Sequence, residues 1–175
     1  MTSTGRPEFS RLVPLARLGV EPFRQDIAAT QAERAALARR FDLPGLDRLC
    51  AVVELVRRGA DRFLLRAAFS AEFVQHCVVT LDPIGGAVSE TFTLFYGPPE
   101  AEEEADGTVE DDVAFEPVVG NAIDVGEAVA QQFSLALPPF PRVPDATLEA
   151  SPPDDAGPFA AALSRLRDRR GDQSR

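Results

Sequence analysis

The sequence predicts an α+β fold: a curved, mainly antiparallel and partly barrel-like sheet packed with two main helices, followed by a flexible C-terminal tail. Three observations predict it. Apolar, β-rich runs with period-two alternation recur between residues 46 and 96. Two stretches open on Thr or Asp followed three residues later by Glu, the spacing of a helix N-terminus. Beyond Phe140 the composition turns to Pro, Asp and Arg, which cannot build a core. At 175 residues, 45% of them hydrophobic, the chain suffices for one ordinary core plus tails. The domain is placed at 8–140 and the tail at 141–175.

Residues 8–13 alternate well enough for a strand, ended by Pro14, and residues 23–29 form a second. Thr30 and Glu33 then cap a helix from Gln31 to about Phe41, with Ala32, Ala35, Ala36, Leu37 and Ala38 as its packing face and Pro44-Gly45 as its stop. Residues 46–57 and 61–69 make a long hairpin across Arg58-Gly59-Ala60-Asp61. A third strand is expected at 73–81, ended by Asp82-Pro83. Gly85-Gly86 supplies the next turn, and a fourth strand follows at 88–96.

Residues 97–112 contain almost nothing to bury and are expected to form a mobile loop. The run 113–119 returns to the sheet edge. Asp124 with Glu127 repeats the capping-box spacing, opening a helix whose apolar face is Ile123, Val125, Ala128, Val129, Gln132, Phe133 and Leu137 and which stops at Pro138-Pro139. A candidate short helix at 158–170 ends the tail, where it either docks back on the domain or serves a partner.

Charge is polarised along the chain. All eighteen basic residues are Arg and none is Lys; the net charge is +4 over 1–66, −14 over 67–141 and zero over 142–175. A chain at −10 is a poor general nucleic-acid binder, because such affinity rests on neutralising phosphates. The fourteen carboxylates of 67–141, with no Lys or Arg among them, suit a basic partner better. Glu102, Glu103, Glu104, Asp106, Asp111, Asp112 and Glu116 are the candidate partner-binding residues, and Arg165, Arg167, Arg169 and Arg170 the candidate RNA-phosphate contacts. No secretory pattern and no run of apolar residues long enough for a bilayer is visible. Cys50 and Cys77 sit in apolar strand-like runs where reduced thiols are common. A soluble, cytoplasmic protein without a membrane partner is expected.

The search for chemistry gives no catalytic residue, no metal site and no cofactor. His76 and Cys77 are neighbours in an apolar run, and neighbours on a strand face opposite ways, which prevents a Cys-His pair. Asp111-Asp112 and Glu102-Glu103-Glu104 lie in a loop unsuited to holding two carboxylates at fixed separation. Gly85-Gly86 lacks the following Lys and flanking glycines of a phosphate loop. A binding protein, not an enzyme, is the expectation.

Several motifs then form an ordered set: Cys77-Val78-Val79-Thr80-Leu81-Asp82-Pro83; a strand ending Phe92 to Tyr96; the acidic stretch 100–112; Ile123-Asp124-Val125 leading to Leu137-Pro138-Pro139; and Gly157-Pro158-Phe159 with Leu163. Their order and spacing resemble the YceD family of large ribosomal RNA subunit accumulation proteins. The family's Cys-x-x-Cys-Leu-Glu-Pro segment is matched by Cys77, Thr80, Leu81, Asp82 and Pro83. Thr80 stands where the family has its second Cys, so no zinc or redox role carries over. The resemblance implies a ribosome biogenesis factor supporting large-subunit rRNA accumulation, with a basic ribosomal protein or pre-large-subunit particle as partner. Two alternatives stand beside it: a direct RNA-binding module stacking bases on Phe92, Phe95 and Tyr96, and an RNA-processing enzyme using Asp111-Asp112. The oligomeric state is left open.

Overall fold

The computed structural model of the chain describes residues 7–98, 113–144 and 146. The predicted carboxylate cluster from Glu102 to Asp112, the tail helix and Arg165 to Arg170 lie outside the described residues.

A five-stranded sheet forms the frame, in the order β2 (Phe23–Ala28), β3 (Gly45–Arg57), β4 (Phe63–His76), β5 (Pro83–Gly97) and β6 (Phe115–Pro117). Neighbours run antiparallel except β5 and β6, which are parallel. A separate two-stranded ladder pairs β1 (Leu12–Pro14) with β7 (Ala122–Asp124). Helices α1 (Gln31–Arg40) and α2 (Val125–Ala136) complete the α+β fold. The sheet is open, with β2 and β6 at its edges, and does not close into a barrel.

Strict alternation explains the long central strands. Phe63, Leu65, Ala67, Phe69, Ala71 and Phe73 of β4 are all buried, facing Leu49, Ala51, Val53 and Leu55 of β3 on the same side. The period never breaks, so the expected separate strand at 73–81 does not exist. Residues 73–76 finish β4, and the chain reverses at 77–82. Gly85 and Gly86 correspondingly lie inside β5, not in a turn. Gly86 sits across from Phe73, and a Cβ there would stand 2.7 Å from the Phe73 ring. Glycine here makes room for an aromatic ring, a role that resembles a turn signal in sequence.

At α1 the Thr30–Glu33 capping box forms in both directions. Its buried residues are only Leu37 and Ala38; Ala32 and Ala35 are exposed, so the predicted alanine face is narrower than expected. Asp124 caps α2 through the Gly126 and Glu127 N–H groups, while the Glu127 carboxylate reaches Arg40 instead of completing the box. Phe133 of α2 is fully buried and meets Phe41 and Phe73 edge-on, at ring separations of 5.8 and 5.7 Å. The first strand begins at Leu12, because residues 9–11 run against the start of α2. No described helix is long and apolar enough to cross a membrane.

Candidate functional site

The family-like segment Cys77 to Pro83 is the turn joining β4 to β5. Its backbone is closed by Cys77 N–H donating to Asp82 O at 2.8 Å and Leu81 N–H to Cys77 O at 2.9 Å. Leu81 takes a positive φ of 63°, an unusual conformation for a side-chain-bearing residue. This places Cys77 in a turn, not in the apolar strand that the sequence suggested. Its thiol is fully buried and accepts N–H groups from Val79 and Thr80 at 3.4 Å and from Val143 at 3.5 Å. Hydrogen bonding from Thr80, by its side chain and then its N–H, outweighs burial and holds the thiol down to about 6, with smaller help from Val143 and Val79.

The chain beyond α2 is fastened to the same turn. Gln75 Nε2 donates to Pro138 O at 3.1 Å, Val78 N–H to Pro141 O at 2.9 Å, and Val143 N–H to Cys77 Sγ. Cys77 therefore acts as the acceptor that pins this strap, and Thr80, at the position where the resemblance implies a second Cys, supplies donors to it. Among the described residues, no group of three or more His, Cys, Asp or Glu is placed to hold a metal. His76 is exposed at the end of β4, its Nδ1 3.0 Å from Leu81 O.

Asp124, another residue of the family-like set, organises the opposite end. Its Oδ1 accepts the N–H groups of Arg11 (2.7 Å), Gly126 (3.1 Å) and Glu127 (3.2 Å), and its Oδ2 accepts the Ser10 hydroxyl at 2.6 Å. Arg11 lies over the Phe9 ring and grips Glu33 with both terminal nitrogens, at 2.7 and 2.9 Å. That pairing holds the Glu33 carboxyl down at about 2. Arg40 grips Glu127 at 2.7 and 2.9 Å and reaches Glu8 at 3.0 Å.

Beside this hub lies a cleft of about 250 Å³ between β6, β7 and the first turns of α2, lined by Tyr96, Glu116, Asp124, Glu127 and Gln131 among apolar neighbours. Burial pushes the Tyr96 phenol above its usual range, and the carboxylates of Glu116, Asp124 and Glu127 push it further. Asp124 is occupied as a cap and Glu127 by Arg40. Glu116 is exposed, and among the described residues no cation pairs with it. Of the seven predicted partner-binding carboxylates, it is the one the structure describes. Tyr96 and Gln131 were not foreseen as cleft residues: the aromatic spacing of β5 and the helical spacing of α2 do not show that they meet across the fold.

The aromatic trio of β5 does not assemble. Phe92 and Tyr96 face the helices, packed against the core, and Phe92 tilts against Phe69 at 6.2 Å. Phe95 lies one position out of phase, paired with Leu64 on the other face. The centre of that second face is exposed and small-featured, with Ala28, Val52, Ala68 and Thr91 at the surface and hollows of about 470 and 420 Å³ over it.

A family model described as large ribosomal RNA subunit accumulation protein YceD matches residues 65–161. That span runs from β4 through the Cys77 turn, β5, the acidic stretch and α2. No curated protein and no solved structure matches the chain.

Proposed function

Since the chain belongs to the YceD family of large ribosomal RNA subunit accumulation proteins, we propose that it supports large-subunit rRNA accumulation by binding a basic ribosomal protein or a pre-large-subunit particle. It acts as a binding factor, not as a catalyst, and works in the cytoplasm. The observation that carries the binding mode is the run 67–141, which has fourteen carboxylates and no Lys or Arg. Within the described residues this run supplies the cleft where Glu116 stands uncompensated beside Tyr96. Several uncompensated carboxylates attract a cationic surface over roughly a Debye length, ~8 Å at physiological salt.

Base stacking on the sheet is the weaker reading, because Phe92 and Tyr96 are turned into the helix-covered face and Phe95 away from it. Depletion of the protein should lower the yield of large subunits and raise precursor rRNA, read by gradient sedimentation and RNA blots. The tagged protein should sediment with large-subunit particles and be released as salt rises. Glu116→Arg should weaken that association. Normal subunit profiles and normal precursor RNA after depletion would overturn the proposal.

A further inference from the structure

Among the described residues, no strand pairs with the outer edge of β5 along most of its length. β5 pairs with β4 from Pro83 to Tyr96 with no register shift, but β6 covers it only at Phe95, Tyr96 and Gly97. There the Phe95 N–H donates to Ala114 O, and the Gly97 carbonyl accepts the Val118 N–H. Odd-numbered residues of β5 thus turn their backbone groups to this edge. With a period of two and no bulge, Gly85, Ala87, Ser89, Thr91 and Thr93 aim N–H and C=O outward, and no strand among the described residues receives them. The open stretch is about 30 Å long at ~3.3 Å per residue.

Natural sheets guard such edges with brevity, Lys, Pro or bulges. The opposite edge follows this rule, since β2 has six residues and exposes Arg24 and Asp26. β5 does not. Between residues 84 and 97 there is no Pro, Lys or Arg, and Glu90 is the single charged residue.

We propose that the β5 edge takes up an extended Lys- or Arg-rich segment of a protein partner, which adds to the sheet as a further strand. This rests on the basic-partner reading above and gives it a place and a geometry. Alternating outward N–H and C=O groups are matched by another extended polypeptide backbone. Charge sets the sign of its side chains: Glu90 stands mid-edge, Glu116 stands on β6 at the edge's covered end, and no cation occurs in 67–141. A hollow of about 500 Å³ lined by Ala68, Phe69, Ser89, Glu90 and Thr91 leaves space for a long side chain with its cation near Glu90. A second copy fits less well, because each chain carries −10 and two β5 strands bring no cation to each other.

The test uses the full chain and a synthetic probe, a blocked peptide of roughly nine residues alternating Lys and Val, with Glu-Val and backbone N-methylated versions as controls. Amide hydrogen exchange is read by NMR. With the Lys peptide, exchange at Gly85, Ala87, Ser89, Thr91 and Thr93 should slow by roughly tenfold or more, while Val88 and Phe92, which face β4, stay as they were. Both control peptides should leave those five amides fast. Ser89→Pro removes an outward N–H without touching the β4 ladder, and Thr91→Lys adds a repelling charge; each should abolish the protection. The proposal is overturned if the Lys peptide protects other amides, if the Glu peptide works equally well, or if the five amides are already slow without peptide. Protection that grows with protein concentration alone would show a second copy on the edge and equally overturn it. Normal sedimentation of Ser89→Pro with large-subunit particles would sink the edge while leaving the basic-partner reading intact. Failure of the unaltered protein to sediment with them would sink that reading itself.

Discussion

Gly126→Ala sets two known effects against each other at one atom. Gly126 is in the first turn of α2, and helix propensity alone makes Ala the better residue there by up to ~1 kcal/mol. The surroundings say otherwise. A Cβ at this position would stand 2.4 Å from the Phe9 carbonyl oxygen and 2.9 Å from the Arg11 nitrogen, where a relaxed carbon–oxygen contact is roughly 3.3 Å. Both neighbours are backbone, so no side chain can swing aside. The start of α2 must retreat by nearly 1 Å, stretching the Arg11 N–H bond to Asp124 at 2.7 Å and the Val125 N–H bond to Arg11 O at 3.1 Å. Overpacking costs ~1–3 kcal/mol, and a weakened bond to a carboxylate adds ~1 kcal/mol. After the propensity gain, a net loss of about 1–3 kcal/mol remains, or a fall in Tm of roughly 3–10 °C. Urea denaturation followed by far-UV circular dichroism measures it. Gly85→Ala is the control, because nothing lies within 4 Å of its added Cβ. If Gly126→Ala were as stable as the parent or more so, the close approach of α2 to residues 9–11 would be wrong.

Other positions give further checks. Phe133→Ala empties a fully buried site between the Phe41 and Phe73 rings and should cost about 3–5 kcal/mol by the same denaturation assay; a loss under ~1 kcal/mol would contradict the packing. Arg11→Gln removes the two-pronged grip on Glu33 and should lose about 1–3 kcal/mol near neutral pH. Because Glu33 is held at about 2 in the fold, its contribution is present above an unfolded value of ~4.3 and is lost as pH falls toward 2. The variant's acid limb should therefore be flatter than the parent's over that window. For Cys77 the folded value of about 6 lies below an unfolded thiol near ~8.5, so its stabilisation is full above the unfolded value and fades as pH falls through about 6. The stability gap between the parent and Cys77→Ala should narrow from pH ~9 to ~6, and a gap independent of pH would show that the thiol does not ionise there.

Much of the fold was legible in short-range pattern. The Thr30 cap and the long β3–β4 hairpin follow from capping spacing and side-chain period, and the run 113–119, expected back at the sheet edge, supplies residues 115–117 there. What sequence pattern misplaced was the reversal after β4. Gly85-Gly86 and Pro83 carry the residue types of a turn, while Cys77 to Leu81 carry those of a strand. The deciding term is tertiary: Phe73 needs a partner without a Cβ, and the Cys77 thiol needs donors that only a turn can gather around it. The site was less legible still. Glu116 was named for its charge, but its meeting with Tyr96, Asp124 and Glu127 depends on β6 lying parallel to β5 beside α2, a long-range pairing that leaves no periodic trace.

The charge polarity acquires a different meaning once the arginines are placed. Residues 1–66 carry twelve Arg and a net +4, yet many of those side chains are used by the fold itself. Arg11, Arg24, Arg40 and Arg48 pair with Glu33, Glu54, Glu127 with Glu8, and Glu72. Arg17 and Arg57 lie over the rings of Phe23 and Phe63, and Arg34 donates to the Ala29 carbonyl. A guanidinium already held by a carboxylate gives little further neutralisation to a phosphate, because the pair presents no net charge. The carboxylates that the arginines hold are mostly those of helices and central strands. Glu90 and Glu116, on the β5–β6 side, have no such partner among the described residues. The fold thus uses many of its arginines in internal pairs and ring contacts and, among the described residues, leaves Glu90 and Glu116 without such a partner along the long β5 edge, so an approaching cationic segment meets attraction and open backbone groups at the same place.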